Sequence, residues 1–67
     1  MTDTERKVIL AFAENNMRST ATADALHYHR NTIEYYLNKI KRTYNLDPKN
    51  FYDLVELVGQ ARGGTSR

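Results

Sequence analysis

The sequence predicts an all-α fold of four short helices. Only three Gly and one Pro interrupt 67 residues, and two of the glycines lie near the C-terminus, which leaves long stretches free of breakers. Within those stretches apolar residues recur at helical rather than strand spacing. There is no Cys, so neither disulfides nor thiolate metal sites can substitute for a packed core.

The first helix starts at Thr2, Asp3 or Thr4, any of which can cap it, with Glu5 in the following turn. It runs through Val8, Ile9, Ala11 and Phe12 and frays at Asn15 and Asn16. At about 100° per residue Leu10 falls nearly opposite Val8 and Phe12, so the VILAFA segment is apolar almost all round. Such a helix is either gripped on two sides within the domain or meets a neighbouring domain or subunit through Leu10.

A polar hinge at residues 16–19 precedes a second, short helix with Thr20 as its expected N-cap. Ala21, Ala23 and Ala25 permit close approach by another helix, and Leu26 is its one large anchor. After His27, Tyr28 and His29 comes the most periodic segment, about residues 30–44. Ile33, Leu37, Ile40 and Tyr44 fall within about 60° of arc and face the core. Asn45 is a left-handed stop, and Asp47-Pro48 makes a turn. A last helix from about Asn50 is expected to bury Phe51, Leu54, Val55 and Val58, with Asp53 completing a reciprocal cap on Asn50. Gly59 weakens its end. The shared core is expected at Leu26, Ile33, Leu37, Ile40, Leu54 and Val58, with residues 1–62 as one domain and 63–67 as a disordered tail or cloning remnant.

This length excludes a two-domain enzyme. No apolar run approaches the ~20 residues that cross a bilayer, and no signal peptide opens the chain, so a soluble cytoplasmic protein is expected. Catalysis is not expected, because nucleophile-elbow, P-loop and dinucleotide motifs are all missing and the chain is too small for a normal substrate pocket. His27 and His29 flank Tyr28, but no third ligand joins them at useful spacing, so no metal and no cofactor is expected.

The net charge of +2 is modest, but it is unevenly spread. From His27 to Asn45, Arg30, Lys39, Lys41 and Arg42 face a single acid, Glu34; from Leu46 to Val58, Lys49 stands against Asp47, Asp53 and Glu56. Removing the core stripe from the third helix leaves Asn31, Tyr35, Asn38 and Arg42 on the opposite side, flanked by Lys39 and Glu34. A helix of this width fits the B-DNA major groove, where Asn pairs with adenine and Arg with guanine.

A short small-residue helix, a three-residue turn and a longer polar-faced helix have the spacing of a helix-turn-helix, here at about residues 20–44. Arg30, Asn31, Thr32, Tyr35 and Asn38 are the expected base-contacting residues. Thr20, Thr22, His29, Lys39 and Arg42 are the expected phosphate contacts, with His29 also capping the recognition helix. Of the five tyrosines only Tyr35 is expected to point clearly outward; Tyr28 and Tyr52 are assigned to packing at helix junctions. The competing reading is a helical protein-interaction module that does not bind DNA and docks a partner through its tyrosine-bearing helix or Leu10.

The run TADALHYHRNTIEYYLNKIKRTYNL, from Thr22 to Leu46, resembles the C-terminal helix-turn-helix of bacterial PucR/CdaR-type transcription regulators, those of purine catabolism and sugar diacids. Similarity continues through DPKNFYDLVEL and covers roughly residues 10–61. The resemblance implies an output domain that binds double-stranded promoter DNA, attached to an upstream sensory domain, with a homodimer formed through regions beyond this chain. Several residues depart from the family pattern. Glu34 and Tyr36 stand where relatives often have Arg or another basic or polar residue. Ser19 replaces an apolar residue, a gap that Met17 is expected to fill, and Asn45 replaces a glycine.

Overall fold

The computed structural model describes residues 1–63, so most of the tail expected at 63–67 lies outside the described residues. Four helices follow one another, α1 (Asp3–Glu14), α2 (Ser19–Leu26), α3 (Arg30–Tyr44) and α4 (Phe51–Ala61), with no strand among the described residues. The all-α expectation holds, and the bounds of α3 coincide with those read from the sequence.

Local chemistry sets the ends. Thr2 and Glu5 form a capping box at the start of α1: the Thr2 N–H donates to Glu5 Oε1 at 2.9 Å and the Glu5 N–H to Thr2 Oγ1 at 3.1 Å. After α1 the chain turns through Asn16 and Met17, both left-handed at φ 58° and 61°. α2 starts one residue before the expected cap. Arg18 occupies the N-cap position without a side-chain bond, because a guanidinium has no acceptor to offer, and its carbonyl accepts both the Thr22 N–H and the Thr22 hydroxyl. α2 ends on left-handed His27, whose N–H, like that of Tyr28, returns to the last turn. Asn45, at φ 57°, ends α3 as expected. At α4 only half of the reciprocal cap forms: Asn50 accepts from the Asp53 N–H, but the Asp53 carboxylate accepts from the Asp47 N–H at 3.0 Å and so braces the turn instead.

α1 packs against all three other helices and α2 packs against α3, whereas α4 approaches only α1 at backbone distance. Val8, Ile9 and Phe12 of α1 meet Ala23, Ile33, Leu37, Ile40, Leu54, Leu57 and Ala61 in one core. Leu10 is half-buried against that core. Leu26 and Val58 join only as partly buried residues. Arg6 ties the far ends of α1 and α4 together, its Nε donating to the Ala61 carbonyl at 2.8 Å.

The α4 face differs from expectation. Phe51 and Val55 are 60% and 54% exposed, whereas Leu57, absent from the expected core, is fully buried. FYDLVELV carries two overlapping apolar stripes that share Leu54 and Val58, and the contact with α1 extends to Ala61, which selects the stripe through Leu57. The rejected stripe lines an open groove of about 460 Å³ with Ala13, Asn16 and Met17. Tyr52, assigned to packing at a helix junction, is instead 80% exposed and stacks edge-to-face on Phe51.

Candidate nucleic-acid interface

α2 and α3 are joined by residues 27–29 and pack on one another, with both seated on α1. Ile33, Leu37 and Ile40 are buried beneath α3. On the far side Asn31, Tyr35, Asn38 and Arg42 are all exposed, together with Arg30 in the first turn. The two faces follow from one amphipathic sequence: burying the apolar stripe leaves the amide and cation crest outward.

Tyr35 is 56% exposed, and its ring meets Tyr36 edge-to-face at 5.2 Å. Tyr36 in turn packs against the core, so the Tyr35 ring is braced rather than free. Among the described residues the ion pairs engage Arg6, Lys39, Lys41 and Lys49; Arg30 and Arg42 are in none of them. Arg42 lies in the last turn of α3, where the helix dipole favours a cation. Arg30 lies at the opposite end, where the dipole disfavours one.

The expected phosphate contacts divide. Thr20 and His29 are exposed at the starts of α2 and α3; Thr32, an expected base contact on the crest's edge, is half-buried. His29 holds the N-cap position of α3 by its backbone, but its side chain makes no capping bond, contrary to expectation. Thr22 is a correction. Its side chain is fully buried, and Oγ1 donates to the Arg18 carbonyl at 2.7 Å. A threonine can satisfy its hydroxyl on the carbonyl one turn back, which lets it serve as a small buried residue instead of a phosphate contact.

Lys39 leans off the crest toward α1, with Nζ 3.7 Å from Glu5 Oε2 and 6.0 Å from the Tyr36 ring centroid. Arg18, missed in the sequence because it lay within a polar hinge, is exposed at the start of α2 beside Thr20.

Two carboxylates organise the motif. Glu5 is buried and also accepts from the Tyr44 hydroxyl at 3.1 Å. Burial pushes its pKa up, but the Thr2 N–H, the Tyr44 hydroxyl and the Lys39 charge together hold it below 4.5, its ordinary value. Glu34 accepts from Lys49 Nζ at 2.8 Å and from the Ser19 hydroxyl, and these bonds likewise hold it below 4.5. Tyr44 is shifted up, by burial first and then by its bond to Glu5.

For carboxyls depressed by folding, the unfolded chain binds protons more readily. Their stabilisation is therefore complete above the unfolded value and lost as pH falls through the folded ones. Stability should decline on acidification below about 4.5. Glu5→Gln and Glu34→Gln should each flatten that limb of a pH series of denaturant melts; an unchanged limb in both would refute the assignment.

Residues 6–59 match the PucR C-terminal helix-turn-helix domain family. Carbohydrate diacid regulator of Escherichia coli (strain K12) is 44% identical over 52 residues, covering 78% of this chain and 14% of that protein. Uncharacterized protein YxkF of Bacillus subtilis (strain 168) is 41% identical over 46 residues, covering 69% of this chain and 16% of that protein. This chain therefore spans a small fraction of the relatives it matches. No solved structure matches it at a significant level. With the greater part of its length inside the family pattern and α2, turn and α3 arranged accordingly, the chain belongs to the PucR C-terminal helix-turn-helix domains.

Proposed function

We propose that this domain binds double-stranded DNA sequence-specifically as the output module of a bacterial transcription regulator, with α3 in the major groove. The observation that carries this reading is the exposed crest of Asn31, Tyr35, Asn38 and Arg42 opposite the buried Ile33, Leu37 and Ile40. Arg30, Asn31, Thr32, Tyr35 and Asn38 contact base edges, and Thr20, His29, Lys39 and Arg42 contact phosphates, joined by Arg18. Thr22 has no part in this set, since its hydroxyl is enclosed.

A single module of this size buries about 600–1,000 Å² on DNA and binds weakly. Tight operator binding comes from two copies on successive half-sites, held by a longer protein that also carries the signal-sensing region. The similarity to a protein named carbohydrate diacid regulator supports the regulatory role, exercised on the nucleoid in the bacterial cytoplasm.

Salt dependence tests this reading. If Arg18, Lys39 and Arg42 neutralise phosphates, log K for a duplex should fall against log salt with a slope of about −3. Docking to a polypeptide through apolar contacts would leave binding nearly indifferent to salt, and a chain with no measurable duplex affinity at low salt would refute the proposal.

A further inference from the structure

One anionic side chain stands inside the proposed DNA-binding region. Glu34 follows Arg30 by one helical turn and lies between Asn31 and Asn38 along α3, on the shoulder of the crest. Its side chain is 27% exposed. An unpaired carboxylate there would confront phosphates at the start of α2, where Arg18 and Thr20 are exposed. Like charge at that position opposes binding.

The carboxylate is not unpaired. Oε1 receives Lys49 Nζ at 2.8 Å, and Oε2 receives the Ser19 hydroxyl. Ser19 opens α2 and Lys49 belongs to the connection between α3 and α4, so one side chain joins three segments that are separate in sequence. Ser19 and Glu34 lie fifteen residues apart, and their bond crosses from the first turn of α2 to α3.

We infer that Lys49, which lies outside the helix-turn-helix, is a positioning residue for DNA binding, masking the Glu34 charge while Ser19 and Lys49 together fix the first turn of α2 against α3. This inference rests on the proposed duplex binding. Lys49 need not touch DNA: its effect is exerted through Glu34. Loss of Lys49 unmasks a negative charge in the interface, and loss of Glu34 makes Lys49 dispensable.

The test is a double-mutant cycle on the chain with a labelled duplex of mixed sequence, titrated over a salt series. Such a probe suffices because charge masking acts on the sequence-independent part of binding. Lys49→Met should weaken binding about three- to tenfold at low salt. Lys7→Met, which removes an exposed cation on α1, should weaken it less. In a Glu34→Gln background, Lys49→Met should cost almost nothing, and the double variant should bind at least as well as wild type.

An equal loss from Lys49→Met in both backgrounds would show that Lys49 meets phosphate itself, and the inference would be overturned. No loss in either would also overturn it. Thermal melts of each variant separate this role from a merely structural one, which would make affinity track the folded fraction and persist at high salt. Should Lys49→Met fail to fold, Lys49→Gln serves in its place. Wild-type chain that binds no duplex would refute the DNA-binding proposal and this inference together, whereas wild-type binding with an additive cycle would refute the inference alone.

Discussion

Phe12→Ala should leave a large part of the population unfolded at 25 °C. Phe12 is 1% exposed, in the last turn of the helix on which the other three pack. Truncating a buried Phe costs about 3–5 kcal/mol, because the lost transfer energy is joined by a cavity that surrounding side chains fill incompletely. A domain of this size has a total stability of roughly 3–10 kcal/mol, and there are no disulfides to limit the loss. Denaturant titration followed by far-ultraviolet circular dichroism would show the native baseline shortened or missing. Leu10→Ala, at a half-buried site on the same helix, should lose markedly less. A Phe12→Ala midpoint close to that of wild type would mean that α1 is not the element around which the core is built.

Asn31→Ala should change DNA recognition and spare the fold. Asn31 is exposed in the first turn of α3, and in its proposed role its amide would pair bidentately with adenine N6 and N7. Losing such a pair costs about 1–3 kcal/mol on the preferred site and less on random sequence. The preferred duplex can be obtained by selection from a random pool, and the variant compared on selected and scrambled duplexes at one salt concentration. Loss of discrimination with an unchanged melting temperature is the expected pattern. Equal weakening on both duplexes would place Asn31 on the backbone and remove it from the base-reading set.

The sequence was most legible where a single local rule decided the outcome. α3 has one apolar stripe and a left-handed Asn45 at its end, and both its bounds and its exposed face agree with expectation. The start of α1 was narrowed to Thr2, Asp3 or Thr4, and the capping box with Glu5 selects Thr2. α4 was harder because Phe51, Val55 and Leu57 are equally apolar, and only contact with α1 decides which of them is covered. Thr22 misled because a hydroxyl near a helix start suggests an anion contact, while its bond to the preceding turn becomes visible only once the helix is seen to begin at Ser19.

The links that place the interface were out of reach of local pattern. Ser19 and Glu34 are fifteen positions apart, as are Glu34 and Lys49, and Tyr44 lies thirty-nine from Glu5. Nothing in the intervening residues signals that these side chains converge. The exposed crest was nonetheless readable, because it is the complement of the one stripe that had to be hidden.

The seating of α2 and α3 on α1 limits how specificity can be exchanged among related regulators. Cut away from α1, the pair would carry the proposed reading surface but leave Ile33, Leu37 and Ile40 facing water. The smallest transplantable unit therefore includes the first helix, and with it α4, which shares that helix as its support. A graft that aims to retarget a relative has two workable forms: swap the entire domain, or leave the scaffold alone and rewrite only the outward positions of α3.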